Sequence, residues 1–176
     1  AEGGMVALTT TLMSSFGSRV ALPGTGIMLN NGIMWFDPRP GQPNSIAPGK
    51  RPLTNMCPIV MKYNNRPVLA IGASGGRRIL GAVFQLLTYV ADFGMTPEQA
   101  AHQPRIDVSS VEGCTADGRL AADILAGLAE DGALEVVEQT ASPVNFACPN
   151  MIVQGQDGVR TGISDFMSPW SAAVAQ

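Results

Sequence analysis

Val68-Leu-Ala-Ile-Gly-Ala-Ser-Gly-Gly-Arg-Arg-Ile-Leu80 joins an apolar strand to a long apolar helix through Gly72, a small-residue turn and the pair Gly75-Gly76. Glycines at such a junction admit positive φ and let another molecule approach the backbone N–H groups closely, while the following helix adds partial positive charge at its start. The combination suits an anion or oxyanion site. A tight strand-to-helix connection with no ligand accounts for the same residues, so both readings stand at this level.

Working outward, residues 57–63 and 67–71 form two apolar, β-branched runs separated by Asn64-Asn65, the composition of a tight hairpin that presents Gly72 onward. On the other side Ile79, Leu80, Val83, Phe84, Leu86, Leu87 and Val90 recur at helical spacing and nearly encircle the segment. This predicts a deeply buried helix over about residues 76–93, stopped by Gly94. A short second helix follows, with Thr96 as N-cap, Pro97 in its first turn and Pro104 closing it.

Upstream, residues 5–13 read as a Thr- and β-branched-rich strand after the Glu2-Gly3-Gly4 turn, with a hairpin partner expected before residue 1. Residues 24–31 read as another short strand ending in Asn30-Asn31. Between residues 36 and 52 five prolines exclude a central strand or a helix, and Trp35, Phe36 and Ile46 anchor the segment as an ordered loop or lid. Downstream, the patterning predicts strands at 105–110, 134–138 and 145–154, and a helix at about 121–129 stopped by Gly132. Gln156-Asp157-Gly158 is a hairpin turn into a last strand at 159–163, while the stretch around Gly113 and Asp117-Gly118 reads as turns and the tail from Ser164 carries no pattern. Strands and helices in separate runs give an α+β layered fold in one domain over residues 1–176.

Composition narrows the function. With 176 residues, 45% hydrophobic and only 14% charged, the chain can bury a substantial core, and the low charge content implies that another chain, or a further part of the same one, covers much of its surface. A net charge of −3 without a basic run argues against nucleic acid or an anionic membrane as partner. No apolar run reaches transmembrane length, so no membrane insertion is expected. Cys57, Cys114 and Cys148 are odd in number and lack metal spacing, so free thiols are expected, with no metal and no cofactor. The single histidine, His102, sits by a helix end and reads as structural.

Several stretches then line up in one order: Thr9-Thr-Thr11, Ser15-Phe-Gly-Ser18, Gly26-Ile-Met-Leu-Asn-Asn31, Pro40-Gly-Gln-Pro-Asn44, Lys50-Arg-Pro-Leu-Thr-Asn-Met56, Gly72-Ala-Ser-Gly-Gly76 and Pro104-Arg105. In this arrangement the chain resembles the small subunit of the γ-glutamyltransferase family, including its cephalosporin-acylase-like branch. The likeness is dense from about residue 3 to 107 and thinner beyond, with Pro143 to Val153 still fitting.

The resemblance implies a four-layer αββα N-terminal-nucleophile hydrolase made as a self-cleaving precursor, whose large subunit is the partner of this chain. An N-terminal threonine would attack a γ-glutamyl or related side-chain amide of a small molecule. Its own α-amine would serve as base, so no histidine is needed. That threonine is expected several residues before Ala1, outside this chain, which would be inactive alone and would lack the first strand of the fold. By the same resemblance Thr11 orients the nucleophile from an inward strand position, and Gly75 and Gly76 form the oxyanion hole. Thr54 and Asn55 match a pair that binds the substrate's α-carboxylate.

Two departures bear on the substrate. Where relatives place acidic residues after Asn-Asn to hold an α-amino group, this chain reads Asn30-Asn-Gly32-Ile-Met-Trp35, and Met13 replaces an amide-bearing substrate contact. Losing two carboxylates shifts the expected donor from γ-glutamyl towards glutaryl- or cephalosporin-type acyl groups. A non-catalytic family relative is the alternative from another class. The resemblance suggests a periplasmic or secreted setting and does not fix one.

Overall fold

The computed structural model describes residues 3–141 and 145–174. It falls into two compact units, one formed by residues 1–9 with 55–176 and the other by residues 10–54. Ala1, Glu2 and Pro143, on which parts of the sequence reading fall, lie outside the described residues.

The larger unit is built on a four-stranded antiparallel sheet. β1 (Ile59–Tyr63) pairs with β2 (Arg66–Ser74) across Asn64 and Asn65, both left-handed at φ 48° and 62°, so the amide pair forms the expected tight turn. β2 is central and pairs on its other side with β6 (Cys148–Gln154), which pairs in turn with β7 (Arg160–Ser164). Leu69, Ile71 and Ala73 of β2 are all buried, as is Met151 of β6.

After β2 a single 3₁₀ turn over Gly76–Arg78 leads into α1 (Ile79–Ala91). Ile79, Ala82, Val83 and Leu86 recur at i, i+3, i+4 and i+7, and this stripe packs on the sheet. Full burial of Val83 and Leu86 stabilises the layer by about 1.5–3 kcal/mol each. The opposite face corrects the expectation of an all-round buried helix, because Leu80 and Phe84 are 61% and 68% exposed. The chain packs only one surface against α1, and an open groove lined by Val60, Met61, Phe84 and Leu87 lies beside it.

α2 (Pro97–His102) has the expected Thr96 N-cap, whose hydroxyl accepts from Gln99 N, and the Gln99 side chain adds a reciprocal bond by accepting from Thr96 N. Pro104 holds Gln103 extended at ψ 138°, which ends the helix.

A second, three-stranded sheet joins β3 (Ile106–Asp107), β4 (Cys114–Asp117) and β5 (Leu134–Val137), with α3 (Ala122–Asp131) crossing between the parallel pair β4 and β5. Here two expectations fail. The strand at 105–110 shrinks to two residues, because the Asp107 carboxylate turns back to accept from Ser109 N and Oγ and so ends the extended run. β4 occupies a stretch read as turns; Cys114-Thr-Ala-Asp117 alternates apolar and polar over only four residues between turn signals, and pairing with β3 and β5 completes the strand.

The predicted strand at 5–13 also fails, since none of its residues joins a ladder. Residues 4–10 nonetheless alternate exposed and half-buried, as an extended chain does, with Val6 and Leu8 facing out at 82% and 78% exposure. The pattern of a strand is present without a neighbour to donate to. The predicted strand at 24–31 reduces to a single bridge between Ala21 and Met28. The loop at 36–52 is ordered by side-chain bonds, since Asn44 donates to the Trp35 carbonyl at 2.6 Å and accepts from Leu53 N at 2.9 Å.

Two stability outcomes follow from this packing. Leu86→Ala is expected to destabilise the protein by about 2–5 kcal/mol in equilibrium denaturation, through lost transfer energy and a residual cavity. The second concerns Asp117, buried at the end of β4 and held by Arg119 through contacts of 2.6–3.1 Å. Burial by itself pushes this carboxyl up, but the Arg119 side-chain and backbone hydrogen bonds outweigh it and hold the pKa below the ordinary value. A carboxyl depressed in the folded state stabilises fully above its unfolded pKa of about 3.9 and loses that contribution as pH falls through the folded value. Asp117→Asn should therefore lower the denaturation midpoint at pH 7, with the gap to the parent closing as the pH is taken below that range.

Candidate active site

Gly75 and Gly76 occupy the end of the central strand, where β2 stops and the 3₁₀ turn begins. Their φ values of 138° and 64° are ones that side-chain-bearing residues rarely adopt. Space enforces glycine at Gly75 a second time: an added Cβ would lie 2.6 Å from Ala147 Cα and 2.8 Å from Ala147 Cβ. Gly76 instead faces open space, with nothing within 4 Å of an added Cβ. The junction is thus anchored on one side and accessible on the other, the geometry a backbone anion cradle requires.

Asn55 belongs to the same unit and joins this junction. Its Nδ2 donates to the Gly76 carbonyl at 2.6 Å, which fixes the orientation of the peptide after Gly76. Arg78, at the end of the turn, lies 3.7 Å from the Asp107 carboxylate, so its charge is partly offset by β3.

The remaining sequence-predicted positions lie in the 10–54 unit and are described within it. Thr11 is exposed and outside any strand, which corrects the expected inward strand position. Its Oγ1 accepts from Met13 N at 2.9 Å, leaving the hydroxyl proton to donate elsewhere. Met13 is half-buried and left-handed at φ 75°. Asn30 accepts from Gly32 N at 2.9 Å and so heads the 3₁₀ turn Gly32–Trp35. The Trp35 indole closes over Gly32, where an added Cβ would meet its ring at 3.0 Å. Thr54 is exposed at the end of the unit.

Sequence reasoning passed over Asn31, which donates to Ser14 Oγ at 2.7 Å and to Met34 Sδ at 3.0 Å and accepts from Ser14 N, tying the two halves of this unit together. It also passed over Arg105 and Asp165, a fully buried ion pair at 3.0 Å. Pro104-Arg105 stood among the aligned motifs, yet its partner lies in the tail that carried no pattern. His102 is structural as expected, with its ring stacked on Phe166 at 4.4 Å and Nδ1 bonded to the Glu98 carbonyl. The three cysteines are free, and burial pushes the Cys148 thiol up, with Asp165 adding to the rise.

The γ-glutamyltranspeptidase family model matches residues 1–175. The glutathione hydrolase proenzyme of Bacillus subtilis is 32% identical over 164 residues, which cover 93% of this chain and 27% of that protein. An acylase proenzyme from a Pseudomonas species is 39% identical over 106 residues, covering 60% of this chain and 19% of that protein. The chain thus spans about a quarter of the length of the first of these relatives and less of the second. Among solved structures, γ-glutamyltranspeptidase from Pseudomonas nitroreducens in complex with L-DON superposes with a TM-score of 0.79 at 27% identity, covering 99% of this chain and 95% of that one. Cephalosporin acylase from Bacillus halodurans gives a TM-score of 0.79 at 25% identity, covering 93% of this chain and 31% of that one. With the α+β fold of those enzymes and a family match along nearly its whole length, the chain belongs to the γ-glutamyltranspeptidase family.

Proposed function

We propose that this chain is the small-subunit portion of a γ-glutamyltranspeptidase-like amidohydrolase, in which Gly75 and Gly76 form the oxyanion hole. The observation that carries the reading is the left-handed Gly75-Gly76 turn, wedged against Ala147 on one side and open on the other. Two adjacent backbone N–H groups aimed at one point stabilise an oxyanion without reorganising during the reaction.

The nucleophile in this reading is an N-terminal threonine released by precursor cleavage, on chain preceding Ala1. Thr9, Thr10 and Thr11 carry no free α-amine and are not candidates. The threonine Oγ attacks the amide carbon of a small-molecule donor, and its proton passes by way of the α-amine to the leaving amine as the C–N bond breaks. The ester formed is then attacked by water or an acceptor amine, which returns the threonine hydroxyl. Thr11, with its Oγ1 accepting from Met13 N, is left to donate its proton and so orient the nucleophile. Thr54 and Asn55 are assigned to the donor's carboxylate. The partner is a large subunit from the same precursor, in keeping with the proenzyme names of the relatives and with the apolar residues Leu80 and Phe84 left open on α1.

A specific observation favours an acylase-type donor over γ-glutamyl. Gly32 and Trp35 stand where a carboxylate pair would hold an ammonium, and the indole closes over Gly32. Charge-assisted hydrogen bonds of about 1.5–3 kcal/mol each are absent from such a pocket.

The complete precursor tests both statements. Gly75→Ala should lower kcat by about 100-fold or more, because the added methyl displaces the turn and its N–H groups from the oxyanion. Rates of p-nitroanilide release should favour a glutaryl over a γ-glutamyl substrate in kcat/KM; a strong γ-glutamyl preference refutes the acylase assignment and leaves the family reaction intact.

A further inference from the structure

We propose that the buried Arg105–Asp165 ion pair is the positioning element of the Gly75-Gly76 turn, acting through the backbone of Ala147. The proposal rests on the oxyanion-hole reading of the two glycines.

Arg105 lies immediately before β3 and Asp165 immediately after β7, so the pair ties together segments 60 residues apart in sequence. Both residues are 2% exposed. Arg105 Nη2 donates to Asp165 Oδ2 at 3.0 Å and to the Ala147 carbonyl at 3.3 Å. Asp165 is itself held, since Oδ1 accepts from Met167 N at 2.9 Å and its own N–H donates to the Pro149 carbonyl at 2.9 Å. The Arg105 carbonyl accepts from Asp117 N at 3.0 Å, which fixes the other end of the arginine to β4. Ala147 is therefore gripped by a frame drawn from β3, β4, β6 and β7.

Ala147 in turn meets the catalytic turn. Ser74 pairs with Cys148 at the last register position of β2 and β6, and one step beyond the ladder Gly75 faces Ala147. The 2.6 and 2.8 Å separations of an added Cβ at Gly75 from Ala147 measure how tightly the two backbones are pressed together. A shift of Ala147 passes directly to the Gly75 peptide, because no side chain lies between them to absorb it.

The energetics favour a positional over a purely stabilising role. Burying two charges costs several kcal/mol, and a well-packed apolar pair of similar volume is often as stable or more so. Arg105 Nη1 is also buried without a hydrogen-bond partner among the described residues, which adds to the desolvation cost. An arginine kept on those terms sets one nitrogen, Nη2, on a carboxylate and a carbonyl at once, at a reach that an apolar side chain cannot bond from and that the shorter lysine stem does not match.

The test uses the complete processed enzyme with active sites titrated by covalent acylation. Arg105→Lys keeps a charge opposite Asp165 and draws the donor nitrogen one bond back from the Nη2 position that also holds Ala147. Its kcat per titrated site is expected to fall about 10- to 100-fold, the cost of misplacing a catalytic group by up to 1 Å, with KM changed less than about twofold. Affinity for a boronate that mimics the tetrahedral oxyanion should fall in step with kcat. Ala147→Gly leaves the ion pair intact and loosens only the contact with Gly75, so it should lower kcat in the same direction and serves as the readout if Arg105→Lys does not fold. Wild-type kcat and boronate affinity per site in either variant, whatever the change in Tm, would overturn the positioning role. Gly75→Ala separates the two levels: if it too keeps full kcat, the oxyanion-hole reading fails, whereas loss there with normal Arg105→Lys and Ala147→Gly enzymes removes only the present inference.

Discussion

Contact between Gly75 and Ala147 is the constraint on which the candidate site depends. A central strand that ends against the backbone of its neighbour has no room for a side chain, and the conformation it needs there is one that glycine tolerates best. Everything around the junction serves to keep that approach close. The buried stripe of α1 holds the helix to the sheet, the β2–β6 ladder brings Ala147 level with Gly75, and Asn55 fixes the peptide that follows Gly76. In the proposed reading the chemistry at this junction falls to backbone N–H groups, which cannot titrate and need no rotamer to be chosen.

The same arrangement accounts for the poverty of side chains usually sought in an active site. The lone histidine is spent on stacking with Phe166, the cysteines are unpaired, and the four ion pairs described serve the scaffold. In the proposed mechanism the nucleophile carries its own base, which places few demands on this chain beyond geometry. Apolar side chains exposed on α1 and on the extended residues 4–10 are the complementary feature. They repeat the patterns of buried elements without a buried surface to meet among the described residues.

How much of this was legible depended on whether a signal was local. The Asn64-Asn65 turn, the Thr96 N-cap and the Pro104 stop are each decided within a few residues and match the sequence expectation, whereas the apolar residues of α1 gave the helix but not its one-sided burial. Residues 5–13 misled because β-branched composition reports a tendency to extend, while a strand also needs a neighbouring backbone to bond to. β4 was missed for the converse reason, as the alternation of Cys114-Thr-Ala-Asp117 is only four residues long between Gly113 and Gly118 and its partners make it a strand. Asp107 shortened β3 by a side-chain bond that composition does not foretell.

Among the site residues, the sequence by itself determined the identities: which glycines end the strand and which positions follow Asn30-Asn31. Those are matters of order along the chain, and order is what a sequence records. Only the tertiary structure decided that Ala147 is the wall behind Gly75, that Trp35 closes over Gly32, and that Arg105 finds its carboxylate 60 residues away at Asp165. The physical reason is range: a turn or a cap is fixed by neighbours in sequence, whereas a buried ion pair and a backbone contact between strands exist only once distant segments have been brought together and water removed between them.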